Sequence, residues 1–206
     1  GVDNVEGTKD DIFNRFIKFV DSMLSFDSIY GNHYQGYKTG NGGIATTIIE
    51  KNKVKDYQEF LFELGIDYDL FEKEIDDTKY IFTKFPSGKE ANFFSIMSKG
   101  TIALSLFFMW YMQMVDGIQF MFIDEFDSYF HHGVSRKLIE KLKKSPTQVI
   151  LTTHNTANMS NSILRPDSYF TISNNNIANI AERSGREIRQ AQNIEKMYRA
   201  GSFENE

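Results

Sequence analysis

The chain has 206 residues, 25% of them charged, a formal net charge of −5 and no cysteine. That composition suits one sizeable core, or a core with a smaller appendage, and argues against disorder and against a surface that is a nucleic-acid footprint throughout. Without cysteine there is no disulfide, thiolate metal site or cysteine nucleophile; a reducing compartment is compatible, and a cytoplasmic protein is the expectation.

Residues 1–7 hold no basic region followed by an apolar stretch, so no secretory signal is legible, and Gly1 in place of a methionine reads as a cleaved tag or a processed fragment. Asp10 and Asp11 open a helical pattern, with Ile12, Phe16, Phe19, Val20, Met23 and Leu24 as a single buried stripe. Residues 31–43 read as a loop; the cluster Gly40-Asn41-Gly42-Gly43 lacks the Lys-Ser or Lys-Thr pair that a G-x-x-x-x-G-K-[ST] phosphate loop requires. Residues 55–64 repeat the helical stripe with Tyr57, Phe60, Leu61 and Leu64, and Gly65 stands where a left-handed C-cap is expected. The acidic run 72–77 reads as a solvated face, and 79–85 and 91–94 as two strands joined at Pro86-Ser-Gly88-Lys-Glu.

From Ser95 onward strand and helix alternate. Ser98-Lys99-Gly100-Thr101 precedes an apolar core helix over 102–115, shorter than the roughly 20 residues of a membrane span, so no membrane partner is expected. Gly117 ends it, and Phe120-Met-Phe-Ile-Asp124-Glu125 is a short apolar strand, covered on both faces, that delivers acids to its carboxyl end. A helix with Val134, Leu138, Ile139 and Leu142 follows, with Lys141, Lys143 and Lys144 at its negative end. Residues 147–153 form a second buried strand ending at His154; 168–173 and 177–181 flank Asn174-Asn175-Asn176 as a hairpin; a last helix covers 187–199. The alternation gives an α/β layer with two adjacent parallel strands.

Ligands of open α/β sheets collect outside the carboxyl ends of the strands, which makes the acid pair the first candidate site. Asp124 can hold Mg²⁺ directly or through water, and Glu125 can orient or deprotonate a water. His154, at the end of the next strand, can hydrogen-bond a terminal phosphate. Ser98-x-Gly100-Thr101 brings a hydroxyl, a close backbone approach and amides to a helix N-terminus, a combination that suits anions; the simpler reading is an N-cap with a glycine turn.

In this order and spacing the motifs resemble the C-terminal part of an ABC-type P-loop ATPase, nearest the ATP-binding proteins of phage resistance, abortive infection and overcoming lysogenization. Residues 97–101 resemble the signature motif, 120–125 Walker B with its catalytic glutamate, and Thr152-Thr153-His154 the switch-histidine motif, while 127–131, with Asp127 and Ser128, occupy the D-loop position. The stretch 186–201 also looks like the C-terminal part of this group. The resemblance implies an α/β fold: a partial P-loop NTPase sheet with flanking helices, made by residues 95–206, after a helical and hairpin insertion over 1–94. It implies ATP and Mg²⁺ as cofactors and catalysis by two heads. Asp124 (metal), Glu125 and His154 (catalysis) would serve one nucleotide, and Ser98, Lys99, Gly100 and Thr101 the γ-phosphate held by the partner.

No Walker A lysine and no obvious Q-loop occur in these residues, so the isolated chain is expected to be inactive, and the expected partner is a second copy of the chain or a completing N-terminal ATPase half. Two other readings are open. One is a non-catalytic module, derived from such an ATPase, that binds an effector protein. The other is a metal-dependent nuclease using Asp124, Glu125, Asp127, His131 and His132. Arg183, Arg186, Arg189, Lys196 and Arg199 are candidates for nucleic-acid contact, but Glu182, Glu187 and Glu195 between them favour an ordinary solvated helix.

Overall fold

The computed structural model describes residues 6–27, 33–36, 40–41, 43–114, 117–173, 175–185 and 187–203. The chain falls into two compact units, Gly1–Phe130 with Lys144–Thr153, and His131–Lys143 with His154–Glu206.

The first unit opens with helix α1 (Glu6–Asp21) and strand β1 (Met23–Asp27). Met23 and Leu24 therefore belong to a strand and do not extend the helical stripe. The helix stops at Ser22, whose hydroxyl donates to the Phe19 carbonyl at 2.7 Å, a local bond that competes with a further turn. Nor is the stripe buried: Ile12, Phe13 and Phe16 are 58–64% exposed, and Phe19 is the residue that packs, edge-on against Phe120. The expected loop over 31–43 holds two short strands, β2 (His33–Gly36) and β3 (Gly40–Asn41); Gly42 and residues 31–32 and 37–39 lie outside the described residues.

Helices α2 (Ile44–Glu50) and α3 (Val54–Glu63) follow, the second ended by Gly65 at φ +89°, the left-handed cap its position suggested. The acidic run is exposed, as expected for a solvated face, but forms most of strand β4 (Asp69–Ile75). Strand β4 pairs antiparallel with β5 (Thr78–Lys84), and β5 with β6 (Glu90–Asn92), the expected strand pair except that Phe93 and Phe94, expected in the second strand, are helical, with Asn92 accepting the Phe94 amide at 3.1 Å as a cap. After α4 (Phe93–Ile96), helix α5 (Lys99–Met114) is hydrophobic on every side, with residues 103–110 at most 4% exposed. Trp110 of α5 stacks on Phe26 of β1, and Phe107 on Phe60 of α3, so α5 is the common core of this unit.

Strands β7 (Phe120–Asp124) and β8 (Gln148–Leu151) complete a sheet of order β3-β2-β1-β7-β8. Strands β1, β7 and β8 run parallel, in the register Phe26↔Ile123↔Leu151. Both β7 and β8 differ from the expected buried strands: no residue of β8 is buried, and Ile150 is 45% exposed. Met121 and Ile123 are buried with Leu24 and Phe26, whereas Phe120, Phe122 and Asp124 lie half-buried on the other face beside exposed Ser25 and Ile150. Period-two alternation of this kind marks a sheet with one well-covered face.

The second unit contains α6 (His132–Leu142), a hairpin of β9 (Phe170–Ser173) and β10 (Asn176–Asn179), α7 (Ile180–Arg183) and α8 (Ile194–Arg199). Its core is Ile180, Ile188, Ile194 and Phe203, with Met159, Tyr169 and Met197 packed against them. The last helix is shorter than the expected 187–199. Asn193 caps it, accepting from the Lys196 amide at 2.8 Å, and the stretch before it is irregular, held by Asn161, whose amide donates to the Arg189 and Gln192 carbonyls at 3.1 Å each. No helix among the described residues is long and apolar enough to cross a membrane.

Candidate active site at the ends of the parallel strands

Strands β7 and β8 run side by side in the same direction, so residues that follow them emerge at one edge of the first unit. Thr152 ties the two strand ends together. Its amide donates to the Ile123 carbonyl at 3.0 Å, its hydroxyl donates to Asp124 Oδ1, and that hydroxyl oxygen accepts the Glu125 amide at 2.9 Å. Its carbonyl accepts the Phe126 amide at 3.1 Å. One threonine thus orients the first acid and the backbone of the second.

Glu125 takes φ +50°, a left-handed conformation that costs a non-glycine residue about 1–3 kcal/mol and persists only where surrounding bonds over-determine it. The two bonds to Thr152 and the burial of Phe126 (2% exposed) supply that constraint. The left-handed residue turns the chain sharply out of β7. Ser128 then donates to Glu125 Oε2 at 2.7 Å and fixes the carboxylate. Asp127 is buried at 6% exposure and accepts from the Thr153 hydroxyl on Oδ1 at 2.5 Å, so it is held as Asp124 is, by a threonine that follows β8.

A further acid stands beside these. Asp27 ends β1 directly opposite Asp124 in the parallel register, half-buried like it. Sequence reasoning misses it, because its only signal is an acid closing a short apolar alternation whose first two residues, Met23 and Leu24, also fit the preceding helical stripe.

The start of α5 is built as an N-cap. Ser98 Oγ accepts the Thr101 amide at 3.1 Å and lies 2.9 Å from Thr101 Oγ1. A Cβ on Gly100 would lie 2.9 Å from the Tyr129 carbonyl, so only glycine lets the first turn of α5 approach the Asp127 turn this closely. Lys99 is exposed. Ser98, Lys99, Gly100 and Thr101 are thus one turn at the positive end of a 16-residue helix, packed by its glycine against the backbone beside the acids.

In the second unit, His154 is the first residue after Thr153 and is exposed, followed by a short turn that Asn155 caps through the Ala157 amide at 3.1 Å. His131 caps α6, accepting the Gly133 amide on Nδ1 at 3.2 Å, with its ring centroid 3.9 Å from that of His132. Among the described residues no group of three or more histidine or acidic side chains could hold a metal ion, and the nuclease reading gains nothing. Arg199 donates to Glu195 at 2.8 Å and to Thr156 Oγ1 at 3.0 Å, and Arg183 to the Phe203 carbonyl at 2.9 Å; Arg186 lies outside the described residues.

A profile of the family described as "AAA domain, putative AbiEii toxin, Type IV TA system" matches residues 12–160. The chain belongs to this AAA-domain family. It is accordingly a P-loop ATPase relative of the abortive-infection kind, and AAA ATPases as a class bind ATP with Mg²⁺. Among solved structures, this family member is similar to the Smc head domain with a coiled coil and joint from Pyrococcus yayanosii, at 21% identity and a TM-score of 0.37 over 54% of this chain and 25% of that one. It is also similar to the SMC head domain from Thermotoga maritima, at 19% identity and a TM-score of 0.37 over 67% and 45% of the two chains. A third is the Pyrococcus furiosus Smc head domain with an extended coiled coil, bound to the C-terminal domain of ScpA, at 18% identity and a TM-score of 0.34 over 49% and 28%. The match therefore spans between a quarter and a half of those chains' own length. No curated protein matches the chain.

The donors at the strand ends fit a small hard cation. They are oxygens throughout, namely the Asp124 carboxylate, the Thr152 hydroxyl and the neighbouring Asp27, which suit Mg²⁺.

Proposed function

We propose that this chain is the part of an ATP-hydrolysing ABC-type ATPase that carries the Walker B acids, the signature turn and the switch histidine, acting in phage defence as one of two apposed heads. A completing ATPase half contributes the phosphate cradle, since no G-x-x-x-x-G-K-[ST] occurs in the sequence. The observation that carries the reading is the Thr152 bridge, which fixes an acid pair at the shared end of two parallel strands.

In this reading Asp124 would hold the metal or one of its waters, with Thr152 keeping the carboxylate in one orientation. Glu125 accepts a proton from the attacking water, its carboxylate aimed by Ser128 and its backbone set by Thr152. His154 hydrogen-bonds the terminal phosphate. Ser98 and the first amides of α5 meet a phosphate held by the partner head, where the positive helix end favours anionic oxygens. Mg²⁺, when bound with the triphosphate, would neutralise charge that develops on the phosphoryl oxygens.

The test is nucleotide binding by the full-length gene product. Asp124→Asn is expected to lose the Mg²⁺-dependent component of ATP binding, and Glu125→Gln to keep it. Equal loss in both variants, or binding that ignores Mg²⁺ in the unaltered protein, would overturn the assignment. The absence of a Walker A lysine from this sequence favours a second reading, a regulatory module that binds a partner without turnover. Adding a polypeptide that carries the phosphate loop restores nucleotide binding under the first reading and changes nothing under the second.

A further inference from the structure

The signature turn is anchored from a place the functional reading does not use. Tyr57 of α3 is fully buried, and its hydroxyl lies 2.5 Å from Ser105 Oγ, one helical turn beyond Thr101. Ser105, also fully buried, donates its single proton to the Thr101 carbonyl at 2.7 Å, so in that bond Tyr57 must be the donor. Thr101 in turn gives its amide to Ser98 Oγ at 3.1 Å. Burial holds the Tyr57 hydroxyl well above its ordinary range, so it stays protonated and remains a donor at any working pH.

The same tyrosine grips the other side of the turn. Its ring meets Phe93 edge-on at 6.1 Å and Phe108 at 5.1 Å, and its hydroxyl lies 4.0 Å from the sulfur of Met97, the residue just before Ser98. Phe93, wholly buried, begins the short helix that leads from β6 into Met97. One side chain therefore touches the segment entering the signature turn and, through Ser105, the helix leaving it. A core tyrosine needs a hydrogen-bond partner when buried, but that need does not require its partner to be the residue that bonds the Ser98 cap.

We propose that Tyr57 is a positioning residue for the signature turn, acting through Ser105 and Thr101 to fix Ser98, so that helix α3 sets how the turn meets the partner head. The inference rests on the ATPase reading for its consequence but not for its mechanical part. Tyr57→Phe removes the hydroxyl and keeps the ring, and Ser105→Ala breaks the same relay one bond further on.

In the full-length protein, each variant is expected to lower kcat about fivefold, the worth of one hydrogen bond, with KM for ATP little changed. ATP-driven pairing of heads weakens in step, because Ser98 meets nucleotide only across the pair. Exchange of the Thr101 amide with solvent, read by NMR without nucleotide, accelerates in both variants, and the double variant adds little to either single one. A purely structural tyrosine would lower the melting temperature and leave kcat, pairing and the double-variant coupling unaffected, and that result overturns the proposal. Should Tyr57→Phe fail to fold, Ser105→Ala decides by the same readings. If both variants turn over and pair like the unaltered protein while Glu125→Gln stops hydrolysis, the positioning role alone falls. If Glu125→Gln hydrolyses at the unaltered rate, the ATPase reading falls, and with it the catalytic consequence claimed for Tyr57.

Discussion

Replacing Thr152 with valine tests the bridge on which the site is built. The change keeps the side-chain shape and removes one hydroxyl, which in the structure donates to Asp124 and accepts from the Glu125 amide. A hydrogen bond to a charged group contributes about 1.5–3 kcal/mol and a neutral one about 0.5–1.5 kcal/mol. Thr152, Asp124 and Glu125 are all half-buried, so the low end of each range applies and the loss is about 2 kcal/mol. For a chain of this size that corresponds to a fall of about 4–8 °C in Tm. Part of the cost is the strain at Glu125, whose left-handed backbone loses the bond that holds it. The assay is thermal denaturation followed by circular dichroism, with Thr152→Ser, which keeps the hydroxyl, expected to lose much less. A Thr152→Val protein that melts with the unaltered one, or a serine variant as unstable as the valine, would refute the reasoning.

Three further outcomes follow from single contacts. Gly100→Ala places a methyl against the Tyr129 carbonyl, so urea denaturation should show a loss of about 1–3 kcal/mol, and no loss would mean the turn is not tightly packed there. Thr83 is fully buried in β5 and, among the described residues, its hydroxyl has no partner, so Thr83→Val should be neutral or stabilising by about 1 kcal/mol in the same assay. Tyr57 is protonated in the folded state well above the pH at which it ionises when unfolded, near 10.0. Its contribution is therefore complete below that pH and lost as pH rises beyond it. Stability should fall above about pH 10 less steeply in Tyr57→Phe than in the unaltered protein, as denaturant titrations across that range would show.

The parts of the fold that were legible share one property, that the local pattern and the tertiary environment agree. Helix α5 is apolar because residues 103–110 are buried, and β7 and β8 are short apolar runs between clear breaks, so their pairing and their acid and threonine ends could be read from spacing, although neither strand is covered on both faces as its apolar run suggested. Strand β1 was hidden because Met23 and Leu24 continue the helical stripe of α1, and the break at Ser22 depends on a local hydroxyl bond with no pattern of its own. Asp27 was invisible for the same reason, since its place beside Asp124 comes from register between strands far apart in sequence. The last helix is shorter than the spacing predicts. Its buried residues Ile188 and Ile194 are six positions apart, which is not one face of a helix, and Asn193 is the kind of residue that caps one. The acids themselves were legible in the sequence. Their orientation was not, because it depends on the left-handed turn at Glu125 and on one threonine hydroxyl from the neighbouring strand.

The most direct measurement is Mg²⁺-dependent phosphate release from ATP by the full-length gene product and by its Glu125→Gln variant, at matched folding. The account expects turnover in the first and a loss of at least about a hundredfold in the second, the scale on which a positioned general base contributes. Equal rates in the two proteins, or turnover that ignores Mg²⁺, would contradict it.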